Sequence, residues 1–121
     1  MNARTVAAII GIAFLAAGIL GFYPNPLISP TGFFVVHTAN NVVHLTSGAV
    51  LLAGAYSSFG TEMALKMVGV VYALIAALDW TMDGRMPLGL VAMNPMDYWL
   101  HGGLAVVILA AGFLLADEAA A

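Results

Sequence analysis

The segment "HTANNVVHLTSG", His37–Gly48, places seven hydrogen-bonding side chains in an otherwise apolar part of the sequence. It lies within Thr5–Thr61, a run of 57 residues that contains no Asp, Glu, Lys or Arg. On a helix, steps of three and four residues bring side chains onto one face. Such steps connect His37, Asn40, Asn41, His44, Ser47 and Gly48, while the opposite side carries Val36, Val42, Val43 and Val50. The pattern predicts a helix whose polar stripe faces the interior of a helical bundle.

The composition around this segment indicates a membrane protein. The chain has 121 residues, of which 63% are hydrophobic and 7% are charged, whereas soluble domains carry about 25% charged residues. At about 20 residues per membrane-spanning helix, the length suits four spans in a single domain, 1–121. The predicted fold class is therefore an all-α integral membrane protein, a bundle of four transmembrane helices.

Charge and cysteine content exclude several classes of function. The net charge is −3 and comes from only nine charged side chains, so nucleic acid is not an expected partner. The absence of cysteine excludes disulfides, iron–sulfur clusters and thiolate metal ligands. No nucleophile motif surrounds the histidines, and we expect the protein not to be an enzyme.

Apolar runs and turn residues predict where the helices begin and end. The first run is longer than the apolar core of a signal peptide, about 7–15 residues, so we interpret it as a helix of the mature chain. Four helices are predicted. They are Thr5–Tyr23, Phe33–Tyr56, a third that begins at Thr61 and ends around Asp79–Trp80, and Pro95–Ala116. Loops are predicted at Tyr23–Gly32 and Thr81–Pro95.

The second half of the chain resembles the first at an offset of 57–58 residues. "GIAFLAAGIL" at Gly11 aligns with "GVVYALIAAL" at Gly69, and the stripe of helix 2 aligns with one on helix 4. The helix 4 stripe consists of Asn94, Asp97, Tyr98, His101 and Ala105, with His101 at the position of His44, Asp97 at that of Asn40 and Tyr98 at that of Asn41. We interpret 4–57 and 61–116 as two helical hairpins, parallel and related by an axis along the membrane normal.

Several roles are open for the two stripes. A carboxylate at a bilayer centre costs about 2.5–3.5 kcal/mol, so Asp97 needs a partner. His101, one turn away, is the nearest candidate, and His44 and Asn40 are expected across from them. Hydrogen bonding between helices would make the protein a small structural or accessory membrane subunit with a polar core of His44, His101, Asp97, Asn40, Asn41 and Tyr98.

A ligand site is the main alternative to a structural role. His44 and His101, with Asp97 as a third ligand, suit a transition metal. The same two histidines could instead supply axial nitrogens to a haem or chlorin in the bundle core. A proton relay through Asp79, Asp97 and the histidines is less favoured, because no acidic or basic residue continues the path through the other half of helices 1, 2 or 4. The sequence therefore leaves the cofactor open between none, haem and a transition metal.

The duplicated motif resembles that of a family of small bacterial four-helix membrane proteins known only as a domain of unknown function. The first copy, "NNVVHLTSG", keeps Asn41, His44, Leu45 and Gly48 of its Asn-x-x-His-Leu pattern. The second copy, "NPMDYWLHGGLA", keeps Asn94, Pro95, Asp97 and His101 but has Tyr98 and Gly102 in place of the asparagine and the leucine. The resemblance covers nearly the whole chain and implies a four-helix integral membrane protein without an assigned reaction.

Location and partners follow from these expectations. We expect the lipid bilayer of a bacterial cytoplasmic membrane as the solvent. Basic residues are more frequent on the cytoplasmic side of membrane proteins. The side with the termini carries Arg4 and Lys66 and the opposite side carries Arg85, which favours both termini in the cytoplasm. A domain this small is also expected to form a homo-oligomer or to join a larger membrane complex.

Overall fold

The structure is a computed structural model that describes residues 2–82 and 95–115. In these residues the elements are α1 (Ala3–Leu20), β1 (Ile28–Ser29), β2 (Phe34–Val35), α2 (Thr38–Tyr56), α3 (Thr61–Met82) and α4 (Pro95–Leu114). The mostly helical prediction is confirmed. Asn94, Arg85, Ala116 and most of the predicted second loop lie outside the described residues.

The helices associate as two hairpins. α1 packs mainly against α2 and α3 mainly against α4, and a smaller contact joins α2 to α3. α1 also touches α3 and, to the least extent, α4. Among the described residues, three helices are long and apolar enough to cross a membrane: Ala3–Leu20, Thr61–Thr81 and Pro95–Leu114.

Glycine brings α1 and α2 together. A Cβ added to Gly48 would lie 2.7 Å from the carbonyl oxygen of Gly11, and one added to Gly11 would lie 3.2 Å from that of Gly48. Small residues at helix interfaces let backbones approach closely. This pair therefore sets the spacing of the first hairpin beside the predicted polar stripe.

The start of α2 differs from the sequence prediction. Residues 33–37 were expected to be helical, but β2 pairs in parallel with β1 instead, with Phe34 aligned to Ile28. His37 is extended and precedes the helix as its N-cap, and its backbone N–H donates to Oδ1 of Asn40 at 3.1 Å. Asn25 holds the loop that makes this pairing possible, because its side chain bonds both the N–H and the carbonyl of Ile28 at 2.7 Å. The predicted start at Phe33 was wrong because hydrogen bonds to the preceding loop outweigh the helical pattern of residues 33–37.

Burial along α2 and α4 follows one pattern. Every buried residue of α4 lies 57 positions after a buried residue of α2. The pairs are Asn40–Asp97, Asn41–Tyr98, His44–His101, Gly48–Ala105, Leu51–Ile108, Gly54–Ala111 and Ala55–Gly112. The two helices thus present corresponding faces to the core.

Candidate functional site

Four rings form a continuous row through the bundle, which we call the ring row: His44, Phe14, Tyr72 and His101. His44 stacks on Phe14 with centroids 5.8 Å apart and planes 6° from parallel, and Phe14 stacks on Tyr72 at 5.0 Å and 9°. Tyr72 meets His101 edge-on at 5.8 Å and 61°. Phe14 and His44 lie on α1 and α2, and Tyr72 and His101 on α3 and α4, so each hairpin contributes half of the row.

At one end of the row, His101 is held by a carboxylate from the neighbouring helix. Its Nδ1 lies 2.7 Å from Oδ2 of Asp79, and the two side chains are 5% and 0% exposed. With an ionised carboxyl group and a neutral imidazole, the proton of this contact lies on Nδ1, and Nε2 is the acceptor nitrogen. The expected partner of His101 was Asp97, one turn away on α4. In the structure, Asp79 of α3 bonds the imidazole. The pairing of His101 with Asp97 stays a prediction.

Asp97 connects α4 to the loop before α2. Its Oδ2 accepts a hydrogen bond from the backbone N–H of Val35 at 3.2 Å. The Asp97 side chain is buried, with 1% of the residue exposed. The carboxylate therefore ties the end of β2 to the first turn of α4, joining the two hairpins.

At the His44 end of the row and at Tyr72, polar atoms are buried without partners. Nδ1 of His44, Oδ1 of Asn41 and the hydroxyl of Tyr72 are all inaccessible to solvent and lack a hydrogen-bond partner. Tyr72 interacts with the Ser47 side chain, but the geometry falls short of a hydrogen bond. Buried polar groups without partners are uncommon, and each needs an explanation.

All six predicted core residues are buried. Asn40, Asn41, His44, Asp97, Tyr98 and His101 are between 1% and 7% exposed. Tyr98 packs edge-on against Trp80 with ring centroids 5.5 Å apart. His37, assigned to the stripe from the sequence, is only partly buried and lies just outside α2.

Three further residues belong to this core although the predicted polar core did not include them. They are Asp79, Phe14 and Tyr72. Asp79 was an acidic residue near the end of a largely apolar helix, and the two rings were aligned with each other in the predicted repeat. These signals were present in the sequence, but neither indicated which neighbour each side chain contacts.

The arrangement bears directly on the metal hypothesis. Within residues 2–82 and 95–115, no three His, Asp or Glu side chains are grouped so that they could hold a metal ion. Two imidazole nitrogens on one ion, at about 2.0–2.1 Å each, would lie within about 4 Å of each other. Here the rings of Phe14 and Tyr72 connect His44 to His101, so this geometry favours separate roles for the two histidines.

Pockets flank the core on two sides of the bundle. One, of about 250 Å³, lies between α2 and α3 and includes Ser47 and Val71 in its lining. The other, of about 380 Å³, lies between α1 and α4 beneath the loop before α2. We call the second one the α1–α4 pocket. It is lined by Ala13, Phe14, Ala16, Ala17, Leu20, Leu27, Ile28, Phe34, His44, Leu100 and Leu104.

Comparison with protein families matches residues 4–114 to a domain of unknown function, DUF4383. The chain belongs to that family. The DUF4383 match covers all four helices except the first residue of α1, and so includes every residue of the ring row. No curated protein and no solved structure matches this DUF4383 chain significantly.

Proposed function

We propose that this DUF4383 protein is a small, non-enzymatic integral membrane protein with four spans, which acts as a structural or accessory subunit. The observation that carries the proposal is the distribution of side chains, with polar groups in the core and apolar groups on the outside. Asp79, His101 and Asp97 are buried and hydrogen-bonded between elements. The outward faces carry large apolar side chains, including Ile12, Leu74 and Val106, each at least 60% exposed. This is the distribution expected of a bundle whose solvent is lipid.

The fourth span in this proposal is α2. Its 19 residues would extend about 28 Å at about 1.5 Å per residue, close to the hydrocarbon thickness of about 30 Å. The residues that lower its hydropathy most are Asn40, Asn41 and His44, and all three face the core. Its exposed side chains include Val42, Ala49 and Ala53. Lipid would therefore contact a largely apolar surface.

Topology can be tested directly because the chain contains no cysteine. Single variants Thr31→Cys, in the loop before α2, and Ser58→Cys, in the turn after it, place thiols at exposed positions. Four spans with cytoplasmic termini predict that a membrane-impermeant maleimide labels intact cells at residue 31 but not at residue 58. Labelling of both from the same side would show that α2 does not cross the membrane.

The accessory role predicts a stable partner. In a mild detergent, the 12.5 kDa chain should migrate on a native gel within a larger complex, and lysine- or carboxylate-reactive crosslinking in membranes should give discrete adducts. A strong ionic detergent should return it to the monomer and serves as the control. A monomer under mild conditions, with no adduct in membranes, would contradict the accessory role.

A second candidate function is haem or transition-metal binding, favoured by the unpartnered Nδ1 of His44. Metal content per chain and the visible absorption spectrum of the purified protein test it. The ligand hypothesis predicts about one metal per chain, lost in His44→Leu. Equal metal content in the wild type, in His44→Leu and in His101→Leu would exclude a site on either histidine.

A further inference from the structure

The connection between α1 and α2, residues 21–37, exposes large apolar side chains. It contains no Asp, Glu, Lys or Arg, whereas about 25% of the residues of a soluble domain are charged. Exposed apolar patches usually mark a surface that contacts a membrane or another molecule. Four large side chains of this connection are 50–64% exposed, and we call them the loop surface: Phe22, Tyr23, Leu27 and Phe33.

The backbone of this connection is hydrogen-bonded within the protein. The Asn25 side chain alone makes five bonds to backbone groups, donating from Nδ2 to three carbonyl oxygens and accepting at Oδ1 from the N–H groups of Leu27 and Ile28. Backbone polar groups need such partners where water is scarce, as it is towards the hydrocarbon layer of a bilayer. Three residues of the connection are prolines, which have no N–H. Among the others, the N–H groups that donate to an acceptor within the protein are those of residues 21–23, 27, 28 and 31–37.

The loop surface is continuous with the apolar outside of the bundle, and rings of the second hairpin are exposed at the same end. Phe22 follows the last turn of α1 almost directly, and Ile19 in that turn is 55% exposed. Trp80 and Trp99 are 55% and 67% exposed, with ring centroids 5.5 Å apart. They lie at the end of the loop surface, because Asp97, two residues before Trp99, accepts a hydrogen bond from residue 35. A bilayer surrounds both hairpins, and exposed aromatic side chains on both are typical of its interface with water.

We propose that residues 21–37 lie in the headgroup layer of the bilayer, with the loop surface in contact with phospholipid at the boundary to the acyl chains. The apolar side chains leave water there, and the internally bonded backbone keeps its partners. The headgroup layer is hydrated on its outer side, so Thr31, an exposed polar residue between β1 and β2, stays accessible to water-soluble reagents. This inference rests on the membrane placement in the proposed function and adds a lipid contact outside the four spans.

The test measures the depth of single spin labels in a bilayer. Because the chain contains no cysteine, Tyr23→Cys and Leu27→Cys each place one nitroxide on the loop surface of the full-length protein. The purified variants are reconstituted in vesicles of phosphatidylethanolamine and phosphatidylglycerol. Power-saturation electron paramagnetic resonance then gives the collision rates of each label with oxygen, which concentrates in lipid, and with a water-soluble nickel chelate.

Two reference variants set the scale. Val106→Cys, near the middle of α4 and 69% exposed, is the reference for acyl chains. Ser58→Cys, at an exposed position of the turn between α2 and α3, is the matched control for a connection that faces water. We expect the ratio of oxygen to nickel collisions at residues 23 and 27 to be severalfold above the ratio at residue 58 and below the ratio at residue 106.

Two results would overturn the lipid contact. Nickel collisions at residues 23 and 27 as frequent as at residue 58 would place the connection in water, as expected of a surface kept for a partner protein. Loss of collisions with both reagents would show that a second copy of the chain covers the loop surface. An aqueous ratio at residue 106 would instead contradict the membrane placement itself, so the two failures are distinguishable. Circular dichroism checks the folding of each variant, and either loop position is sufficient if the other variant fails to fold.

Discussion

The contact between Asp79 and His101 should be the strongest single polar interaction in the core. Its N···O distance of 2.7 Å and its burial, with side chains 0% and 5% exposed, are typical of a charge-assisted hydrogen bond. Such bonds contribute about 1.5–3 kcal/mol, whereas hydrogen bonds between membrane helices average about 0.6 kcal/mol and reach about 1.7 kcal/mol. We expect a coupling free energy of about 2 kcal/mol between the two residues.

The measurement is a double-mutant cycle with Asp79→Leu, His101→Leu and the double variant. Unfolding is induced by an ionic detergent in mixed micelles and followed by circular dichroism. Each single variant should lose about 2–3 kcal/mol of unfolding free energy, because it removes one partner of a buried bond. The double variant should lose less than the sum, since it buries two apolar side chains and leaves no unpaired group.

The matched control is Glu62→Gln at the other end of α3. Glu62 and Lys66 form an exposed pair at 3.6 Å, with side chains 52% and 37% exposed, and such pairs contribute at most about 0.5 kcal/mol. The coupling free energy between Asp79 and His101 could instead fall below about 0.5 kcal/mol, no larger than that expected for the exposed pair. That result would refute the assignment of their contact as the main polar interaction of the core.

Three further predictions concern other contacts. Gly48→Ala should lower the unfolding free energy by about 1–3 kcal/mol, because its Cβ would meet the Gly11 carbonyl oxygen at 2.7 Å. The control is Gly103→Ala, whose Cβ would have no neighbour within 4 Å. It should be neutral or stabilising in the same detergent titration. Tyr72→Phe removes a buried hydroxyl without a partner and should leave stability unchanged or raise it by up to about 1 kcal/mol; a clear loss would indicate a partner for the hydroxyl. Asp97→Leu removes the acceptor of the Val35 N–H, so hydrogen exchange of the peptide containing residues 33–37 should accelerate about tenfold, and unchanged exchange would contradict that hydrogen bond.

The regular parts of the fold could be predicted because their signals are local. Apolar runs of about 20 residues identified the helices, and steps of three and four predicted the buried positions of α2 from Asn40 to Gly48. His37 was misplaced because its conformation depends on the pairing of β1 with β2 and on the hydrogen bonds of Asn25. Neither appears in the periodicity of a single helix.

The partners within the core could not be predicted in the same way. Asp97 and His101 are one turn apart on α4, so their proximity is visible in the sequence, but His101 bonds Asp79, 22 positions away on another helix. The repeat aligned Phe14 with Tyr72 without indicating that the two rings stack at 5.0 Å. The predicted repeat indicates which positions of the two halves correspond. Which side chains touch depends on how one hairpin packs against the other.

The sequence by itself determined the solvent suited to this chain, the number of helices and the inward face of α2 and α4. These properties depend on composition and on helical periodicity, which each segment carries alone. Only the tertiary structure decided that Nδ1 of His101 is hydrogen-bonded to Asp79 and that Nδ1 of His44 has no hydrogen-bond partner. The two histidines occupy aligned positions in the predicted repeat. The physical reason is that α3 brings a carboxylate, Asp79, to His101. The residue that aligns with Asp79 in the first half is Gly21, which directly follows α1 and has no side chain to offer to His44.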